Sequence, residues 1–182
     1  FDAQGFNNHM NSSTEELAII DTVISHCDNQ SSHQEAQIMR IPVTDYTDPK
    51  RLEQEMKTLF REFPIAVGHS SELAEPGQFL TQDLAGVPIL ATRTRDGEIR
   101  AFINVCRHRG ARLESEPCGK AGTFSCPYHG WTYGLDGALR GLRHASGFGD
   151  INKSDFNLVA LPAFERFGLI WVRPSPSDAP ID

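Results

Sequence analysis

Two short motifs contain the residues best suited to bind a metal. One residue separates Cys106 from His108, two residues separate Cys126 from His129, and residues 109–125 lie between the motifs. Each motif fits a tight loop that directs one thiolate and one imidazole to the same point. Two thiolates and two imidazoles suit either a zinc ion or an iron–sulfur cluster. The sequence therefore predicts a metal site at these four residues.

The order of the ligands favours the cluster over zinc. Zinc fingers usually present two cysteines together and then two histidines, whereas each motif here supplies one of each. This arrangement suits a two-iron cluster with both cysteines on one iron and both histidines on the other. Gly110, Gly130 and Pro127 permit tight loops and leave backbone N–H groups free to point at sulfides.

The segments that must position these motifs have the sequence pattern of short antiparallel strands. After Pro64, short apolar runs alternate with Gly, Pro and Asp turns, and Asp96-Gly97 and Asp136-Gly137 are typical of hairpin turns. No strand–helix alternation is present, so the pattern predicts a mainly β, antiparallel domain. The predicted strands are residues 65–69, 78–84, 87–93, 99–105, 158–164 and 167–173.

Two helices precede the strands. Ser13 and Glu16 form a capping-box pattern, and apolar residues at helical spacing predict a helix over residues 14–27. Asp48 and Pro49 suit the start of a second helix, which we expect to end near Phe63. We therefore divide the chain into a partly helical extension (1–45), a β domain (46–174) and a proline-rich linker (175–182). Residues 1–11 lack periodicity and could derive from a cloning vector.

Composition limits the classes of function. The chain has 182 residues, of which 39% are apolar and 23% charged, as is typical of a soluble globular protein. No apolar run approaches the roughly 18–20 residues of a membrane helix, and the N-terminus lacks the pattern of a secretory signal. We therefore expect a cytoplasmic protein with no membrane partner. The net charge of −7 argues against a nucleic-acid partner.

The motifs resemble those of a known family. The segments Cys106-Arg-His108-Arg-Gly and Cys126-Pro-Tyr-His129-Gly-Trp-Thr-Tyr are similar to the Rieske 2Fe–2S motif. More narrowly, they resemble the N-terminal Rieske domain of the α subunits of ring-hydroxylating non-haem iron oxygenases. The resemblance covers residues 45–175 approximately. It implies a Rieske-type fold of small packed sheets with two cluster-binding hairpin loops. It also implies that the two cysteines hold an inner iron and the two histidines an outer iron near solvent.

The resemblance also implies a function in electron transfer. The domain would take single electrons from a ferredoxin or flavin reductase and pass them through His129 to a mononuclear iron in a neighbouring oxygenase subunit, within a homotrimer or larger assembly. The parent protein would then be an aromatic-ring-hydroxylating oxygenase, and we expect a dioxygenase of aromatic hydrocarbon catabolism. The alternatives are a stand-alone Rieske-type ferredoxin, which is a carrier and not an enzyme, and a structural zinc domain.

The second metal centre of that family has no counterpart in this sequence. No Asp/Glu-x-x-His-x-x-x-x-His pattern occurs, and only His144 follows His129. We therefore expect no catalytic residue in this chain and mononuclear Fe(II) only in a domain beyond the linker.

Residues near the motifs carry further expectations. Trp131 stands where the respiratory Rieske branch has a serine hydroxyl that donates to a cluster sulfur, so the resemblance implies a low reduction potential. We expect Trp131 and Tyr133 to shield the cluster by packing, Cys27 to be a buried thiol, and Cys118 a free thiol in a turn.

Charge is concentrated around the motifs. Residues 93–143 contain nine Lys/Arg and five Asp/Glu, a local balance of +4, whereas the rest of the chain sums to −11. This segment is either ordinary solvated surface or a docking face for an acidic partner. Arg107, Arg109 and Arg112 flank the ligands and could form structural salt bridges or help to dock an acidic electron donor.

Overall fold

The computed structural model describes residues 13–35 and 37–177, and the chain divides into two compact units, residues 1–43 and 44–182. The first unit contains helix α1 (Thr14–Asp28). Its capping box is confirmed, because Ser13 N donates to Glu16 Oε2 at 2.7 Å and Glu16 N to Ser13 Oγ at 3.2 Å. Residues 1–11, where we considered a vector origin, lie outside the described part of the chain.

Helix α1 has no buried residue. The expectation that Cys27 is a buried thiol is therefore wrong, because its side chain is exposed. An apolar stripe at helical spacing predicts the helix, but it does not say that a surface covers the stripe. In the described residues, no helix is long and apolar enough to span a membrane.

The second unit begins with two short helices, α2 (Thr44–Thr47) and α3 (Pro49–Thr58). Asp48 caps α3 as expected, since its carboxylate accepts a hydrogen bond of 2.9 Å from Lys50 N. The helix ends at Thr58 and not near Phe63. Leu59 N and Phe60 N both donate to the carbonyl of Glu55, and this shared acceptor ends the regular ladder.

The rest of the unit is antiparallel β structure, which confirms the predicted fold class. The strands of the described chain form three sheets with the orders β1-β11-β10, β5-β2-β3-β4-β9 and β6-β7-β8. Their bounds are β1 Ile65–His69, β2 Gln78–Leu84, β3 Val87–Arg93, β4 Ile99–Ile103, β5 Cys118–Lys120, β6 Thr123–Ser125, β7 Thr132–Gly134, β8 Leu139–Gly141, β9 Ala160–Leu161, β10 Ala163–Arg166 and β11 Leu169–Val172.

The first three predicted strands are confirmed as β1, β2 and β3, and the later ones differ at prolines and turns. The predicted strand 158–164 is wrong as a single element, because Pro162 has no N–H for a ladder and separates β9 from β10. The predicted strand 167–173 starts late, because Phe167 and Gly168 form a tight turn with φ of +56° and +74°. Strand β4 ends at Ile103, because Val105 N donates to the carbonyl of Ile103 and folds the backbone into a tight turn.

Two hydrophobic cores fill the second unit. One core joins β1 and β11 to β2, β3 and β4 and includes Val67, Ile89 and Ile170. The other core lies under the metal-binding motifs and includes both motif cysteines together with Trp131 and Tyr133. The thiols are therefore held in packed protein and not on a flexible surface.

Candidate metal centre

Two loops of the same construction carry the four candidate ligands. In loop 1 (residues 106–110), Gly110 N donates to Cys106 O at 3.0 Å and Cys106 N donates to Ala111 O at 2.8 Å. In loop 2 (residues 126–130), Gly130 N donates to Cys126 O at 2.9 Å and Cys126 N donates to the carbonyl that follows the loop at 2.8 Å. Each loop closes on a glycine with positive φ, +74° and +69°, which other residues rarely adopt. Matching hydrogen bonds therefore hold the two loops in the same shape.

The two cysteine side chains are more deeply buried than the two histidine side chains. Cys106 and Cys126 are 2% and 4% exposed, whereas His108 and His129 are half-buried. The two imidazole rings meet edge to face, with their centroids 4.7 Å apart. The thiols therefore lie inside and the imidazoles between them and the surface, in the order that the resemblance implied for inner and outer iron.

The histidines show directly that this site fits a metal cofactor. The Nδ1 atoms of His108 and His129 are both buried and neither has a hydrogen-bond partner among the described residues. Leaving a buried polar atom unsatisfied costs about 1–3 kcal/mol, so such atoms normally have a partner. A metal is the partner that two neighbouring imidazole nitrogens and two thiols would share.

The electrostatics of the ligands agree with that fit. Burial raises the pKa of the Cys106 thiol, and the neighbouring Cys126 adds to this effect, so a bound metal would displace a proton that this thiol otherwise keeps. Burial, followed by the neighbouring His129 and the Arg109 charge, lowers the pKa of His108. A neutral imidazole is the form that ligates a metal.

No three His, Cys, Asp or Glu side chains surround one point closely enough to hold a single ion in residues 13–35 and 37–177. A two-iron cluster has a different requirement, since each iron takes two protein ligands and the bridging sulfides supply the rest.

Aromatic side chains enclose the histidines. Trp131 is 1% exposed and stacks on His108, with ring centroids 4.8 Å apart and planes 7° apart. Phe148 meets His108 edge to face at 5.5 Å. On the outer side, the ring of Tyr128 lies 3.8 Å from that of His129 while remaining 60% exposed. The indole N–H of Trp131 is a further buried donor for which the described residues offer no acceptor.

Tyr133 has a role that the sequence did not reveal. It is fully buried, as its expected packing role requires, but its hydroxyl also lies 3.5 Å from Cys106 Sγ and accepts a hydrogen bond of 3.1 Å from Arg107 N. Burial raises the pKa of Tyr133 well above its usual value, so the hydroxyl keeps its proton and can donate it to the sulfur. Trp131 precedes β7 and Tyr133 lies within it, so their two-residue spacing favours one face, but only the fold brings that face to loop 1.

The three arginines that flank the ligands differ in whether they form an ion pair. Arg112 forms an ion pair of 2.7 Å with Asp83, whereas Arg107 and Arg109 are exposed and pair with no carboxylate in the described chain. Cys118 is a free, exposed thiol as expected, but it lies in strand β5 and not in a turn, because residues 118–120 pair with β2.

Comparison with known proteins identifies the family. The family model described as the Rieske [2Fe-2S] domain matches residues 63–161, more than half of the chain. The chain belongs to the Rieske [2Fe-2S] domain family, and its cofactor is a Rieske-type 2Fe–2S cluster.

Its relatives are subunits of Rieske oxygenases. The carnitine monooxygenase oxygenase subunit of Escherichia coli K12 is 34% identical over 142 residues, which are 78% of this chain and 38% of the relative. The biphenyl 2,3-dioxygenase subunit alpha of Rhodococcus jostii RHA1 is 34% identical over 136 residues, 74% of this chain and 29% of the relative. The chain therefore spans less than half the length of these relatives.

Solved structures of oxygenases also superpose on this chain. A quaternary ammonium Rieske monooxygenase in complex with L-carnitine superposes with a TM-score of 0.70 at 35% identity, covering 76% of this chain and 39% of that one. Naphthalene 1,2-dioxygenase from Rhodococcus sp. bound to indole gives 0.72 at 27% identity, covering 92% of this chain and 37% of that one.

Proposed function

We propose that this chain is the electron-transfer domain of a Rieske non-haem iron oxygenase. The observation that carries the proposal is the pair of buried, unpartnered Nδ1 atoms of His108 and His129 beside two buried thiols. The similarity to oxygenase subunits supports the wider context. In the whole protein, the domain relays single electrons to a mononuclear iron in a catalytic domain that lies outside this chain.

Each ligand has a distinct part in this proposal. Cys106 and Cys126 would hold one iron of the cluster through their thiolates, and His108 and His129 would hold the other through Nδ1. When bound, the cluster accepts and releases one electron at a time. Trp131 and Phe148 exclude water from the His108 side, and the Tyr133 hydroxyl fixes the position of the Cys106 sulfur. His129, against which the exposed Tyr128 ring lies, is the exit for the electron.

The partners follow from the same relay. A ferredoxin or flavin reductase supplies the electron, and a neighbouring oxygenase subunit in a homotrimer or larger assembly receives it. One solved relative is described in terms of inter-subunit electron transfer, which supports this arrangement.

Two substrate classes are proposed for the whole protein. Aromatic rings, attacked by a dioxygenase, were expected from the resemblance, and relatives named for biphenyl and toluate support them. Quaternary ammonium compounds, oxidised by a monooxygenase, are the second class, because relatives named for carnitine and glycine betaine are of comparable similarity.

Metal analysis tests the ligand assignment. We expect two irons and two acid-labile sulfides per chain after anaerobic purification, with visible absorption. Cys126→Ser should lose both, whereas Cys118→Ser, which removes an exposed cysteine of β5, should retain them. Stoichiometric zinc in a colourless protein would instead support the structural zinc alternative.

The coding sequence beyond residue 182 separates the oxygenase from the stand-alone ferredoxin. An oxygenase requires an Asp/Glu-x-x-His-x-x-x-x-His pattern downstream, and a stop codon directly after residue 182 would favour the carrier.

A further inference from the structure

The two ligand loops are held at their bases in different ways. Loop 2 follows directly from a β ladder, because β6 and β7 pair as far as Ser125 and Thr132, the residues that flank the loop. The side-chain hydroxyls of Ser125 and Thr132 are 2.9 Å apart and add a hydrogen bond at the same level. Loop 1 has no such ladder in the described chain, since β4 ends at Ile103 and the pair Val105↔Arg112 is a single bridge outside the strands. A contact other than strand pairing must therefore close the base of loop 1.

A buried asparagine closes the base of loop 1. Asn104 is 0% exposed and lies two residues before the first cysteine ligand. Its Nδ2 donates to the carbonyl of Glu114 at 2.8 Å, and its Oδ1 accepts a hydrogen bond of 3.0 Å from Glu114 N. The side-chain amide therefore pairs with one residue in both directions, as a backbone residue does in an antiparallel ladder. This pair joins the segment that enters loop 1 to the segment that leaves it.

The backbone of Asn104 attaches this pair to the largest sheet. Asn104 N donates to the carbonyl of Pro88 in β3 at 2.8 Å, and the carbonyl of Asn104 accepts a hydrogen bond of 3.4 Å from Leu113 N. Leu113 is buried in the same core as Cys106. One residue thus connects loop 1 to β3 and to the segment that follows the loop. Because a displaced Asn104 would leave buried partner groups unsatisfied, other positions of loop 1 are costly.

We infer that Asn104 is a positioning residue for the two ligands of loop 1, Cys106 and His108. The inference rests on the proposed ligand assignment and adds a residue that acts through the backbone and not as a ligand. Its effect reaches both ligands because loop 1 lies between Asn104 and Glu114. The contact of 3.5 Å between Cys106 Sγ and the Tyr133 hydroxyl depends on the same loop position. Loop 2 depends instead on the ladder between β6 and β7.

The first experiment measures how firmly the cluster-loaded chain retains its iron. Asn104→Ala removes both side-chain hydrogen bonds to Glu114, and we expect iron loss to excess EDTA, well below the melting temperature, to become about tenfold faster. Thr92→Val is the matched control, because the Thr92 hydroxyl is equally buried and donates to the carbonyl of Leu135 at 2.8 Å. Leu135 lies in the β7–β8 turn, at the end of β7 opposite to loop 2. Both variants should melt at lower temperature, but the control should release iron at the rate of the unmodified chain.

The second experiment tests whether Asn104 acts through loop 1. A displaced loop 1 weakens the contact of the Tyr133 hydroxyl with Cys106 Sγ, so Asn104→Ala should lower the reduction potential in protein-film voltammetry. Tyr133→Phe removes the same hydroxyl, and the shift that it causes should be smaller in the Asn104→Ala background than in the unmodified chain. Such non-additivity is expected when two residues act on one contact. A loss of global stability alone predicts additive shifts, which we expect in the Thr92→Val background.

Three outcomes would overturn the inference. These are an iron-loss rate and a potential of Asn104→Ala equal to those of the unmodified chain, equally accelerated iron loss in Thr92→Val, and fully additive shifts in potential. A folded Asn104→Ala chain that assembles no cluster, beside a Thr92→Val chain that does, would be the extreme form of the expected result.

If Asn104→Ala does not fold, hydrogen–deuterium exchange of the unmodified, cluster-loaded chain decides. The inference requires the amide of Glu114, which donates to Asn104 Oδ1, to exchange far more slowly than in an unstructured peptide, and equal rates would contradict it. Failure of the proposed function looks different, because the unmodified chain would then contain no 2Fe–2S cluster whose iron loss or potential could be measured.

Discussion

At the scale of single residues, the hydroxyl of Tyr133 is the described group best placed to influence a cysteine ligand. It lies 3.5 Å from Cys106 Sγ, inside a core where water does not compete. A donor to a ligand sulfur stabilises the reduced, more negative state of a cluster. This contact acts against the low potential that the Trp131 position implies, so the two residues have opposite effects.

Replacing Tyr133 by Phe should therefore lower the reduction potential. A hydrogen bond of this kind is worth about 1 kcal/mol, which corresponds to about 40 mV for a one-electron couple. Protein-film voltammetry measures the shift. Tyr128→Phe is the control, because the Tyr128 ring lies against His129 and no hydrogen bond of its hydroxyl to a sulfur is seen in the described structure. An unchanged or higher potential in Tyr133→Phe would show that the hydroxyl does not donate to Cys106.

Local spacing accounts for what could be predicted at this scale. The four candidate ligands lie within two short motifs, so the sequence identifies them without any knowledge of the fold. The Tyr133 contact joins residues 27 positions apart and depends on how β7 packs against loop 1, which no local pattern specifies. The ion pair of Arg112 with Asp83, and the lack of a carboxylate partner for the Arg107 side chain in the described residues, likewise depend on long-range packing.

At the scale of elements, one ion pair connects two of the sheets. Arg93 of β3 forms an ion pair of 2.7 Å with Glu165 of β10, and its guanidinium also donates to the carbonyls of Leu73 and Gly97. The Arg93 side chain is only 12% exposed, whereas that of Glu165 is 34% exposed. The Arg93 guanidinium is the main reason why the pKa of Glu165 lies below its usual value.

Glu165→Gln should destabilise the domain at neutral pH and not in acid. A carboxylate whose pKa is lowered in the folded state contributes stability above its unfolded pKa, and this contribution disappears as the pH falls through the folded pKa. We expect a loss of about 0.5–1 kcal/mol near pH 7, allowing for solvent screening. The difference from the unmodified chain should shrink as the pH falls below the usual carboxyl range.

Urea unfolding at several pH values measures this difference. Glu98→Gln is the matched control, because the pair of Glu98 with Arg100 has both side chains more than half exposed and should contribute little. An equal effect of the two variants, or a Glu165→Gln effect that persists in acid, would contradict the role given to this ion pair.

Long strands could be predicted from the sequence, and short strands could not. Strands β1, β2 and β3 have five to seven residues, enough for an apolar pattern bounded by turn residues. Strands β5 to β8 have three residues each, too few for alternation to appear, and they form because loops 1 and 2 and the core beneath them bring the segments together. Loop 2, which connects β6 to β7, therefore rests on elements that the sequence predicts poorly, whereas loop 1 follows the predicted strand β4.

At the scale of the whole molecule, the two units contribute unequally. Both hydrophobic cores and all four candidate ligands belong to residues 44–182, whereas α1 of the first unit buries no residue. Residues 1–43 contain six acidic residues and one arginine, a balance of −5, so they also carry most of the net charge of −7. The first unit thus affects the charge of the protein more than the packing around the cluster.

A chain that starts at Thr44 should therefore keep the cluster and its potential. We expect the same content of two irons and two sulfides, and a melting temperature within about 2 °C of the full chain, because the deletion removes no residue of either core. Reduction of the cluster by an acidic ferredoxin should become slightly faster at low salt, since the deletion removes negative charge that repels such a donor. Differential scanning calorimetry, iron analysis and the reduction kinetics measure these three quantities. Loss of the cluster, or a melting temperature lowered by much more than this, would mean that the first unit completes the fold of the second.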